Sequence, residues 1–84
     1  MAPAAKKSTA QARPDIRGVL AANVISLRAQ RGWTQEALAI ESGLHRTFVA
    51  HVERQVRNIS LESLEKLATA FEVQTYALLV PTKA

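Results

Sequence analysis

The sequence contains no cysteine, which excludes a disulfide framework, thiolate metal ligation and thiol catalysis, and leaves redox compartment unmarked. It also lacks any apolar run approaching the roughly 20 residues of a membrane-spanning helix. Met1 to Ala12 has no hydrophobic stretch of the kind that forms the centre of a signal peptide, so the expectation is a cytoplasmic protein with no membrane partner. Neither a nucleophile–base pair nor a glycine-rich phosphate loop is present. No enzyme is expected, and no cofactor.

What is there is short and basic. The 84 residues make one small domain, which buries only about 60–65% of its unfolded surface and so gains from dimerisation. The net charge is +4, but Lys6, Lys7 and Arg13 fall in the first 14 residues. From Asp15 onward eight basic side chains face seven acidic ones, a balance of +1. Bulk charge therefore says little about nucleic acid. The local pattern says more: Arg46, Arg54, Arg57 and two histidines lie between Leu44 and Ser60 against the single acid Glu53.

That basic stretch belongs to the most structured part of the sequence, Thr34 to Asn58. Thr34 can cap a first helix carrying Leu38 and Ala39 inward, and Gly43 breaks it because glycine alone reaches positive φ without a Cβ clash. Leu44 plugs the turn. A second helix then starts near His45 with Val49 and Val52 inward, which leaves Arg46, Thr47, Ala50 and His51 outward. Two helices joined by a short turn containing glycine can present the second helix to the major groove of DNA. On that geometry the base-edge readers are Arg46 and Thr47 near the helix start, then His51 one turn on. Arg46 can give two donors to guanine O6 and N7.

Around this centre the sequence predicts further helices and no strand. Residues 1–14, rich in Ala, Lys, Ser and Pro, read as a disordered basic arm, either a solvated tail or an arm that touches phosphates or the minor groove. The folded region spans 15–80 and leaves 81–84 as a tail. Asp15 caps a first helix to about Gln30 with Ile16, Val19, Leu20, Val24 and Leu27 on one buried face, and Trp33 plugs the joint after Gly32. Ser60 caps a fourth helix whose face is Leu61, Leu64, Leu67, Ala68 and Phe71. A last short helix covers about Thr75 to Leu79 and stops at Pro81. The fold class is all-α, with five helices.

Leu27-Arg28, Arg31-Gly32-Trp33-Thr34-Gln35-Glu36, Leu38-Ala39, Ser42-Gly43-Leu44 and Val52-Glu53-Arg54 resemble the helix-turn-helix family of lambda-type repressors, also called the Xre family. Gly43 to Val49 and Val52 to Arg54, continued by Arg57-Asn58-Ile59-Ser60-Leu61, look most like the controller proteins of restriction–modification systems. The likeness covers roughly Val19 to Val80. It implies a compact five-helix lambda-repressor-like domain with the helix-turn-helix at helices 2 and 3. By family position Arg46, Thr47 and His51 match base contacts, and Gln35 matches a phosphate contact that braces the recognition helix. Arg57 and Asn58 match backbone contacts. Phe48 stands where many relatives have tyrosine, so it acts by packing or by touching a sugar or thymine methyl.

The resemblance further implies a structural ion pair between Arg28 and Glu53. Most relatives have glycine where this chain has Gln55, so either Gln55 takes a left-handed conformation or the helix runs on. Val73, Tyr76, Leu78, Leu79 and Val80 are more apolar residues than one short helix can turn inward, and controller proteins dimerise through this region.

The implied function is a homodimeric regulator of transcription on a palindromic double-stranded DNA operator, with half-sites about 34–36 Å apart. No small-molecule ligand is expected. The other reading is an antitoxin-type or phage-type repressor with a protein partner, docked on Tyr76 to Val80. Metal binding is not expected, because His45, His51 and Glu53 fall on different helix faces.

Overall fold

The computed structural model describes residues 15–81. The expected arm (1–14) and the end of the tail (82–84) lie outside the described residues. Four α-helices follow in order: α1 (Ile16–Arg31), α2 (Gln35–Ser42), α3 (Arg46–Glu53) and α4 (Leu61–Phe71). A 3₁₀ turn, Thr75–Leu79, completes them, and no strand occurs among the described residues.

Three of the four helices begin on a side-chain cap. Asp15 Oδ1 accepts from the Arg17 N–H at 3.1 Å, Thr34 Oγ1 from Ala37 at 3.0 Å, and Ser60 Oγ from Ser63 at 3.0 Å; each satisfies one first-turn donor. Gly32 and Gly43 close α1 and α2 at φ of +68° and +75°. After Gly43 the Leu44 N–H returns to Ala39 O at 3.0 Å, which turns the chain tightly enough for α3 to follow at once. Glu72 closes α4 in the same left-handed region, φ +60°, although it is not glycine.

The core is one cluster drawn from every element. Val24 of α1, Leu38 of α2, Val49 of α3, Leu67 and Phe71 of α4 and Leu78 of the 3₁₀ turn are fully buried. Trp33 stacks on Phe71 with centroids 5.7 Å apart and closes the joint between α1 and α2. Asn23, buried on α1, donates through Nδ2 to the carbonyls of Leu78 at 2.8 Å and Val80 at 3.0 Å. Two backbone acceptors of the last segment are thereby satisfied by a side chain 55 and 57 residues earlier.

Three expectations need correction. The last element has the expected bounds but is a 3₁₀ turn, so the described chain has four α-helices and not five. Its bonding is i to i+3, as in Ala77 N–H to Gln74 O at 2.9 Å, because five residues are too few to set up an α-helical ladder. Leu61 is 79% exposed and Ile16 is 52% exposed, although both were assigned to buried faces. Each is the first residue of its helix, and the helix enters the core only a turn later.

Candidate nucleic-acid interface

Helix α3 is fixed from below and bare above. Val49 and Val52 bury its inner face. At its C-terminal end Glu53 is gripped by Arg28 of α1, Nε to Oε2 at 2.7 Å and Nη2 to Oε1 at 3.0 Å. A third donor, Gln35 Nε2 on α2, reaches Oε1 at 2.8 Å. Arg28 Nη1 also donates to Trp33 O at 2.9 Å. Side chains of α1 and α2 thus converge on one carboxylate of α3, and Arg28 is itself tied to the α1–α2 joint, which sets the direction in which α3 projects.

At the other end Arg46 and Thr47 are exposed. The N-cap residue His45 makes no side-chain cap, so the first-turn N–H groups point outward with a partial positive charge. Arg46 and Thr47 thus lie outward on α3, as their spacing predicts. His51 does not: it is half-buried, and its Nδ1 is buried with no hydrogen-bond partner in the protein. Only the opposite edge of its ring is left to meet a base. Its place one turn along α3 carries it down the side of the helix, toward the buried Val49 and Val52.

The segment after α3 supplies cations. Gln55 is left-handed at φ +63°, and the Val56 N–H bonds back to His51 O at 3.1 Å, so the helix stops instead of running on. Arg57 then sits with its guanidinium carbon 5.7 Å from the centroid of the Phe48 ring. Phe48 packs against the core cluster and acts as a platform for that cation. Asn58 Oδ1 accepts from Arg17 Nη1 at 3.0 Å. Arg17 lies in the first turn of α1 and was not among the residues singled out from sequence. The one signal for it was its placement, since a cation in a first turn opposes the helix dipole.

Gln35 braces α3, as the resemblance implies. Its side-chain amide is spent on Glu53, so its brace is direct, and any phosphate contact falls to its backbone N–H. The proposed dimer residues separate into three kinds. Leu78 is fully buried in its own core and is removed from the interface. Val73 and Leu79 pack half-buried on that core, while Tyr76 is 68% and Val80 50% exposed. Among the described residues no three His, Asp or Glu side chains gather to hold a metal ion, and no helix is long and apolar enough to cross a membrane.

A profile described as Helix-turn-helix matches residues 24–78, which takes in α2, the Gly43 turn, α3 and α4. The chain belongs to the helix-turn-helix family. It is 49% identical over 67 residues to a hypothetical transcription factor of Neisseria meningitidis, covering 80% of this chain and 63% of that protein. The chain thus spans less than two thirds of that relative's length. The crystal structure of a hypothetical transcription factor from Neisseria, also 49% identical, has a TM-score of 0.77 over 80% of this chain and 77% of that one. Control protein C.SmaI of Serratia marcescens is 46% identical over 65 residues, 77% of each chain. The restriction–modification controller protein C.AhdI of Aeromonas hydrophila is 40% identical, with a TM-score of 0.71 over 74% of this chain and 94% of that one. Helix-turn-helix membership gives α3 the position of recognition helix, and no part of the described site resembles a reaction centre.

Proposed function

We propose that this helix-turn-helix protein is a sequence-specific, double-stranded DNA-binding regulator of transcription that acts as a homodimer on a palindromic operator. Its role is that of a restriction–modification controller protein, as C.AhdI is named, with C.SmaI named a control protein. The observation that carries the reading is the exposed Arg46 and Thr47 at the start of a helix whose far end is clamped by Arg28, Glu53 and Gln35. A donor-rich end held rigidly and open to solvent suits direct reading of base edges. His51 contributes from its free edge. Arg57, Asn58, Phe48 and the Gln35 N–H hold the sugar–phosphate backbone and so set register without specifying sequence.

Two-fold pairing doubles the contacted length and explains why Tyr76 and Val80 are apolar and exposed. The test is footprinting and salt-dependent binding on the DNA upstream of the protein's own gene, against scrambled duplex of equal length. A two-fold footprint, at least about a thousandfold tighter than scrambled and steeply salt-dependent, is the expected result. Equal weak binding to both duplexes would overturn it and favour a protein partner on the Tyr76–Val80 surface.

A further inference from the structure

The face beside the α3 terminus holds a cation that the helix-turn-helix does not supply. Arg17 projects from α1 and donates to Asn58 Oδ1 at 3.0 Å, joining the first turn of α1 to the loop after α3 across 41 residues. Because the Asn58 oxygen is taken by Arg17, its Nδ2 is left as the donor. The neighbouring Arg57 rests on Phe48. Among the described residues the only ion pair is Arg28 with Glu53, so Arg17 and Arg57 carry no carboxylate partner. The acid closest in sequence, Asp15, is engaged in capping α1 through the Arg17 backbone N–H. The result is a surface made of donors.

Its distance from the base-reading end is set by α3 itself. Eight residues of α-helix span about 12 Å, and the major groove of B-DNA is about 12 Å wide. With Arg46 at the base edges, the far end of α3 and the loop beyond it come level with the wall of the groove, where the phosphates lie. We infer that Arg17, oriented by Asn58, is a positioning residue that binds a backbone phosphate of duplex DNA from α1, outside the helix-turn-helix. This rests on the reading of α3 given above. Arg17 anchors the first helix to the groove wall, so the tilt of α3 in the groove is fixed from two elements and not one.

The experiment uses the full chain and a duplex recovered by it from a random-sequence pool, with a scrambled duplex of equal length. Arg17→Ala is expected to weaken binding to both duplexes by a similar factor, to keep the preference between them, and to make the log–log salt slope shallower by about 0.9 per protomer. Arg17→Lys should restore most of that slope, since a phosphate contact needs the charge. Arg17 is exposed, so urea unfolding of Arg17→Ala should match the native chain. In duplexes shortened pair by pair from the outside, the native chain should lose affinity at one step to which Arg17→Ala is blind.

An unchanged slope and affinity in Arg17→Ala, while the native chain still prefers its selected duplex, would overturn the Arg17 assignment alone. A native chain that selects no duplex would overturn the DNA-reading function, and this inference with it.

Discussion

Arg28 and Glu53 meet through two parallel hydrogen bonds, of 2.7 and 3.0 Å, with the Glu53 side chain only 6% accessible and the Arg28 side chain 21%. A pair this dry is costly to break on one side. Arg28→Met leaves Glu53 with Gln35 as its remaining donor, and the expected loss is about 3–5 kcal/mol of folding stability. The double substitution Arg28→Met, Glu53→Met should cost less than Arg28→Met alone, because no charge is then stranded. Urea unfolding of the two variants decides the matter. A single variant as stable as the native chain would show that the pair does not hold α1 to α3.

Arg46 gives the opposite profile. It is exposed, and none of its side-chain atoms is engaged by another described residue, so Arg46→Ala should leave the unfolding curve in place. Loss of a bidentate base contact should cost about 1–3 kcal/mol in binding to the selected duplex, with little change toward scrambled DNA. Competition binding at a fixed salt concentration reads both arms. Equal losses on both duplexes would reassign Arg46 from base reading to phosphate.

Gln55 is held at φ +63°, a conformation that costs an L-residue about 1–2 kcal/mol and glycine almost nothing. Its side-chain amide lies beside Gly18 of α1. Gln55→Gly should therefore stabilise the fold by up to about 1 kcal/mol. Gln55→Val, β-branched in the same conformation, should destabilise it. Thermal melts that rank Gly above Gln above Val agree with this; Gln above Gly would mean that the Gly18 contact outweighs the backbone strain.

These residues also mark how far the sequence could be read. Thr34, Gly43 and Ser60 announce their helix ends because capping is local chemistry, acting over three residues. Hydrophobic period assigned the faces of α1 and α4 correctly at Val24 and Leu67, but could not say where each face leaves the core, so Ile16 and Leu61 were misplaced. The Arg28–Glu53 contact was visible only through family resemblance, since 25 residues separate the partners. Arg17 with Asn58, and Asn23 with the last turn, had no such guide. His51 is half-buried because outward and sideways differ by a fraction of a helical turn, and the burial of Nδ1 depends on the neighbours packed there.

The last turn is where the fold and the proposed pairing meet. Asn23 ties the carbonyls of Leu78 and Val80 to α1, and Leu78 is sunk in the core, so Tyr76 and Val80 are displayed from a fixed base. Beside them a groove of about 240 Å³ runs between α1 and the turn, lined by Ser26, Leu27, Gln30, Val73 and Ala77 among others. Tyr76→Asp with Val80→Asp should shift the protein from dimer to monomer at micromolar concentration in sedimentation, with its helical circular dichroism kept. Affinity for a full operator should then fall, while affinity for an isolated half-site changes little. Asn23→Ala should produce a milder form of the same loss by loosening the base, as a buried and a part-buried carbonyl lose their donor. A Tyr76→Asp, Val80→Asp variant that still sediments as a dimer would move the interface to another face, and Ile25, 43% exposed on α1, is the next residue to substitute.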